Sequence, residues 1–204
     1  MSRYDAATAL VIVDLQNDFA DPGGGLSVAG GDAIVETVNA EIQLALAAGA
    51  TVVATQDWHP ETTPHFAKDG GIWPVHCVAG TWGADLHPNL DLPDHAPRVR
   101  KGADGEDGYS GFTMRDPTTG AAQPTALDGI LRDRAIERVV VVGLATDYCV
   151  KATALDAVAL GYRTSLLTDA VAAVDLSPGD GDRAIEEMRA AAVSIERTAT
   201  EPDA

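Results

Sequence analysis

Apolar residues along this chain follow two patterns in turn. Unbroken runs such as Ala9-Leu10-Val11-Ile12-Val13, Thr51-Val52-Val53-Ala54-Thr55, Val139-Val140-Val141-Val142 and Thr164-Ser165-Leu166-Leu167-Thr168 suit strands buried on both faces, where β-branched side chains pack and no polar alternation is needed. The shorter Arg98-Val99-Arg100 and Val193-Ser194-Ile195 read as two further strands. Between these runs the apolar spacing turns helical. Ala33 to Ala48 places Ile34, Val38, Ile42 and Leu46 on one stripe, with Gly49 as a natural stop. Leu127 to Arg134 and Asp182 to Ala192 read as helices, and from Tyr148 on Val150, Ala154, Leu155, Val158 and Ala159 recur at helical spacing. This alternation predicts an α/β fold, a three-layer sandwich in which helices cover both faces of a mainly parallel six-stranded sheet. The expected strand order is 3-2-1-4-5-6, with the first and fourth strands meeting at the switch point.

No internal repeat or linker divides the chain, so residues 1–204 read as one domain carrying an irregular insertion at about 56–97. That stretch is rich in Gly, Pro, His and Trp, and a long structureless segment in a compact domain is usually functional. The tail from Thr198 to Ala204 reads as frayed.

Composition narrows the picture. Hydrophobic residues make up 46% of the 204, and the mean hydropathy of -0.01 is that of a globular chain. No apolar run approaches the ~20 residues of a membrane span, and Met1-Ser2-Arg3-Tyr4-Asp5 leads into a strand pattern without a signal-peptide core. Two cysteines, Cys77 and Cys149, are too few for a disulfide framework, and the expected compartment is the cytoplasm. A formal net charge of -17 argues against nucleic-acid and anionic-membrane partners and penalises an anionic substrate, but not a neutral small molecule. Paired helices on such a domain are compatible with a homo-oligomer.

Ligands of open α/β sheets collect outside the carboxyl ends of the strands. Four chemically loaded stretches fall there: Asp14, Asp57-Trp58-His59, Lys101, and the loop before Cys149. Cys149, at the head of a predicted helix, is expected to have a depressed thiol pKa, although cysteine is also a common core residue. Asp14, next to it if the first and fourth strands pair, could act as its base or be an ordinary cap. Lys101 could support both charges or be a solvated lysine. In an extended chain residues i and i+2 point the same way, so Asp57 and His59 can share one metal, with His65 and His76 available to complete it. An Asp–His pair on a loop is equally common without metal. The mixed oxygen and nitrogen donors suit zinc first, or iron or manganese. His87 and His95 read as surface residues and Cys77 as a packed core thiol. Phe19, Trp73 and Tyr109 lie in loops beside these stretches, where they either cover a flat aromatic ligand or pack the loops on the core. The N–H groups of Ala145 and Cys149 are candidates for an oxyanion hole.

With these residues in view, the chain resembles the nicotinamidases of the isochorismatase-like cysteine hydrolase family from about Leu10 to Ile195. The motifs are Val11-Ile-Val-Asp14-Leu-Gln-Asn-Asp-Phe19, Gln56-Asp-Trp-His59-Pro, Trp73-Pro-Val-His76-Cys, Lys101-Gly with Tyr109-Ser-Gly-Phe112, and Gly143-Leu-Ala-Thr-Asp-Tyr-Cys149-Val. The resemblance implies a catalytic triad of Asp14, Lys101 and Cys149, and a metal held by Asp57, His59 and His76. It implies His65 as a further ligand in some members, and a cis peptide between Leu144 and Ala145 that turns the Ala145 N–H toward the oxyanion. The implied reaction is hydrolysis of nicotinamide, and of pyrazinamide, through a cysteine thioester. The Gly102–Gly108 loop is slightly longer and more acidic than in the mycobacterial pattern. Two other readings are an N-carbamoyl or ureido substrate on the same triad, and an idle metal-binding or interaction protein. A vinyl ether-cleaving isochorismatase would leave Cys149 without a task.

Overall fold

The computed structural model describes residues 3–198. In chain order its elements are β1 (Thr8–Val13), α1 (Asn17–Ala20), α2 (Ile34–Ala47), β2 (Thr51–Asp57), β3 (Arg98–Lys101), β4 (Thr113–Arg115), β5 (Ala122–Pro124), α3 (Leu127–Asp133), β6 (Arg138–Leu144), α4 (Lys151–Ala159), β7 (Arg163–Ala172), α5 (Asp180–Ala190) and β8 (Ser194–Glu196). The central sheet has six parallel strands in the order β3-β2-β1-β6-β7-β8. Counting those strands alone, this is the expected order 3-2-1-4-5-6. The additional antiparallel hairpin of β4 and β5 was not predicted, because its residues are half-buried or exposed and carry no apolar pattern.

The continuous apolar runs work as two-faced strands. Leu10, Ile12, Val140 and Val142 pack under Val38, Ile42 and Ala45 of α2. Their chain neighbours Ala9, Val11, Val13, Val139 and Val141 face the opposite layer, with Leu127 and Leu131 of α3, Ala154 and Ala157 of α4, and Met188 of α5. Each such aliphatic side chain contributes about 1.5–3 kcal/mol when fully buried, and those on the inner strands are.

At the crossover between β1 and β6 the backbones approach closely. A Cβ on Gly143 would come within 2.1 Å of the Val13 carbonyl oxygen, and Gly143 has φ 109°, so only glycine fits. The helix expected from Tyr148 instead opens as a π turn, Thr146–Val150, before α4 begins. Its wider winding places Cys149 just past the end of β6, as π turns often do at functional sites. The tail expected to fray passes, from residue 199, outside the described residues. No described helix is long and apolar enough to cross a membrane.

Candidate active site

Strand ends bring Asp14, Asp57, Lys101 and Cys149 to one edge of the sheet. Asp14 leaves β1 with φ 46°, a conformation aspartate tolerates better than most residues. The Thr55 hydroxyl donates to Asp14 Oδ1 at 2.6 Å and accepts from the Asp14 N–H at 3.2 Å. Lys101 ends β3 and is only 1% exposed, so its expected alternative as a solvated lysine fails. Its Nζ lies 2.8 Å from Asp14 Oδ2, contacts Asp57 Oδ1, and is 3.7 Å from Cys149 Sγ. A buried cation thus holds two buried carboxylates apart and touches the thiol.

Charge follows from that arrangement. Burial alone would push the Lys101 ammonium down, but Asp14 and Asp57 outweigh it and hold its pKa well above the usual value. Burial would raise Asp57, yet Lys101 and His59 keep it far below the carboxylate range. Asp14 is raised, by burial and then by Asp57, against the pull of Lys101. Cys149 corrects an expectation. Its thiol pKa is raised well above the ordinary value, because burial outweighs Lys101 and the two carboxylates add to it. The cysteine sits inside the π turn, enclosed by side chains, rather than at a solvated helix terminus, and rests as a thiol.

The second cluster is built by a short pairing of the chain after β2 with the segment after His76. The His59 N–H donates to the Cys77 carbonyl at 2.9 Å, and the Ala79 N–H donates to the His59 carbonyl at 2.8 Å. His59 Nε2 and His76 Nε2 then lie 3.8 Å and 4.0 Å from Asp57 Oδ2. Donor nitrogens of His59, His65 and His76 all lie within 4.8 Å of one another. The His76 Nδ1–H donates to the Pro74 carbonyl at 2.7 Å, which leaves Nε2 as a donor atom. Burial lowers the His76 pKa to about 4, so its ring is neutral at pH 7, as a metal ligand must be. Both ring nitrogens of His59 are buried without a hydrogen-bond partner. Such groups are costly unless something satisfies them, and a cation held among three imidazoles and a carboxylate would do so. The donor set fits a divalent transition metal. Gly102 admits the His59 ring, since a Cβ there would come within 2.7 Å of Nδ1.

Above these clusters is a pocket lined by Phe19, Trp73, Tyr109, Leu26 and Val174, with Cys149, Asp57, His65, His76 and Ala145 exposed to it. The Trp73 indole N–H donates to the Tyr109 hydroxyl at 3.0 Å, and the Phe19 ring lies 5.3 Å from that of His76. The Leu144–Ala145 peptide is cis, and the Ala145 carbonyl accepts from the N–H groups of Tyr148 and Val150. An apolar slot with a few convergent polar groups suits a small flat ligand. Cys77 is a free buried thiol in the other core layer, its Sγ against the Gly83 carbonyl, and is outside both clusters, as are the half-buried His87 and exposed His95.

Sequence reasoning missed four residues here. Gln16 donates to the Asp57 and Ala84 carbonyls and accepts from the Asp57 N–H, pinning the end of β2. Tyr148 packs its ring 4.8 Å from Trp73 and 5.2 Å from Tyr109, closing the aromatic wall. Asp147 accepts from Val174 and Asp175, tying the π turn to the loop after β7. Asp107 meets His65. Only Gln16 and Asp147 carried a signal, as polar residues beside a strand end within the quoted motifs.

Fold and site together define a doubly wound α/β hydrolase with a buried cysteine beside a carboxylate and histidine cluster. The isochorismatase domain matches residues 8–200, and the chain belongs to that family. Within it the chain is similar to the nicotinamidase of Escherichia coli (strain K12), 41% identical over 203 residues that cover 92% of this chain and 93% of that protein. It is 43% identical over 190 residues to the nicotinamidase/pyrazinamidase of Mycobacterium tuberculosis (strain ATCC 25618 / H37Rv), covering 92% of this chain and 97% of that relative. The crystal structure of the Pyrococcus horikoshii pyrazinamidase in complex with zinc superposes with a TM-score of 0.84 at 42% identity, covering 94% of this chain and 99% of that one.

Proposed function

We propose that this protein hydrolyses nicotinamide to nicotinate and ammonia, and pyrazinamide by the same route. The observation that carries the reading is the buried Asp14–Lys101–Cys149 cluster, whose Cys149 lines the same pocket as Asp57, His65 and His76. Similarity to named nicotinamidases over nearly the whole chain supports the substrate.

As Sγ of Cys149 attacks the carboxamide carbon, its proton passes to the Asp14 carboxylate. The raised pKa of Asp14 makes it a better base than a solvated aspartate. Lys101, 3.7 Å from Sγ, supports the thiolate as it forms. The N–H groups of Ala145 and Cys149 hold the oxyanion. The C–N bond breaks as Asp14 returns the proton to nitrogen, releasing ammonia and leaving a thioester. Water then gives a proton to Asp14 and attacks the thioester carbon; as the C–S bond breaks Asp14 returns that proton to Sγ, restoring the thiol, and the acid departs and ionises to nicotinate. Phe19, Trp73 and Tyr109 enclose the ring.

Asp57, His59 and His76, with His65, would hold one divalent metal, zinc first and iron or manganese as alternatives. When bound, that metal would anchor the pyridine nitrogen, directly or through water, and so orient the amide. The whole chain acts as one domain, with 56–97 supplying metal and ring contacts. Its two cysteines fit a cytoplasmic enzyme, its acidic character favours a small neutral substrate over nucleic acid or an anionic membrane, and a homo-oligomer is compatible with both. Metal-repleted protein should release ammonia from nicotinamide, and a chelator should slow release on the order of 10²-fold, the cost of a misplaced substrate. No turnover by the repleted protein would move the substrate to the N-carbamoyl or ureido class.

A further inference from the structure

We propose that Asp107 is a positioning residue that turns His65 into a fourth metal ligand; the inference rests on the metal centre of the reading above. Asp107 Oδ1 lies 2.7 Å from His65 Nδ1. With Nδ1–H donated to that carboxylate, Nε2 is the ring nitrogen left free to ligate a metal. A carboxylate behind a histidine fixes its tautomer and raises its basicity toward the metal.

His65 needs such support. Like His59 and His76 it lies outside any helix or strand. Its backbone is held by longer bonds, its N–H to the Thr63 hydroxyl at 3.3 Å and its carbonyl from the Trp73 N–H at 3.4 Å, whereas His59 is paired on both sides at 2.8–2.9 Å and the His76 ring is fixed by the Pro74 carbonyl. Asp107, although its side chain is 54% exposed, is not on a free loop. Its N–H donates to the Arg115 carbonyl at 2.8 Å and its carbonyl accepts from the Arg115 N–H, so the β4–β5 hairpin holds it in place. Its Oδ1 also accepts from the Gly108 N–H at 2.8 Å, which sets the carboxylate's direction. The longer, acidic Gly102–Gly108 loop thereby acquires a task, and the hairpin, remote from the reacting atoms, becomes part of the metal centre's support.

Zinc affinity, measured by competition with a chromophoric chelator, tests this in Asp107→Ala, Asp107→Asn, His65→Ala and the Asp107→Ala/His65→Ala double variant. Asp107→Ala should weaken zinc binding about 10–100-fold. Asp107→Asn, which keeps an acceptor oxygen, should recover most of the loss. With His65 already replaced, removing Asp107 should change nothing further. Wild-type affinity in Asp107→Ala, or an equal loss in the His65→Ala background, would overturn the inference. Because the titration uses no nicotinamide, failure of amide hydrolysis with this pattern intact would remove the substrate reading alone.

Discussion

Replacing Cys149 by alanine is expected to reduce ammonia release from nicotinamide on the order of 10⁴-fold or more, as removal of a covalent nucleophile does. The loss should be confined to chemistry. Cys149 touches Lys101 at 3.7 Å and is not among the three histidines that gather the metal donors, so bound metal should stay at the wild-type level. The side chain is small, and its removal from a site at the pocket wall should cost little stability beside a core truncation. Ammonia assay and metal analysis on the same preparation check both halves. Full activity in the variant would end the thioester mechanism.

Lys101→Ala carries the second largest effect, and on two quantities at once. The wild-type cation sits between Asp14 and Asp57, all three nearly or fully buried. In metal-free protein its removal leaves two carboxylates out of water with no counterion, which costs about 3–5 kcal/mol when one partner of a buried pair is removed. Turnover should fall by about 10²–10⁴-fold, since Asp14 will hold its proton too firmly to act as a base. The pH dependence has a definite sign. With carboxylate pKa values raised above their unfolded values, the folded variant binds more protons than its unfolded chain. Its deficit against wild type is therefore largest at neutral pH and shrinks as pH falls through the raised values. Denaturant unfolding at several pH values measures this, and a stability equal to wild type at pH 7 would show that Lys101 does not carry that charge.

Much of this was legible because strand ends are legible. Unbroken valine and isoleucine runs place β1, β2 and β6, and each run stops at a residue that can do chemistry, so Asp14, Asp57 and the approach to Cys149 fall on one edge without any knowledge of contacts. Lys101 was visible by the same rule. What stayed hidden depends on pairings between distant segments. Asp107 meets His65 across 42 positions, and Gln16 reaches Asp57 across 41, through loops that have no period to read. The β4–β5 hairpin lacks an apolar face, and the π turn differs from an α-helix only in winding. The thiol pKa went the wrong way for a related reason. A helix terminus was visible in the spacing, but the burial that overrides its field is a property of the packed site.

The central claim is an acyl group carried on Cys149, and partitioning with hydroxylamine tests it most directly. A thioester can be attacked by hydroxylamine in place of water. Turnover of nicotinamide in its presence should therefore yield nicotinohydroxamate at the expense of nicotinate, with one ammonia still released for each nicotinamide consumed. Ammonia release accompanied by nicotinate alone, at every hydroxylamine concentration, would mean that water attacks the amide directly and would contradict the account.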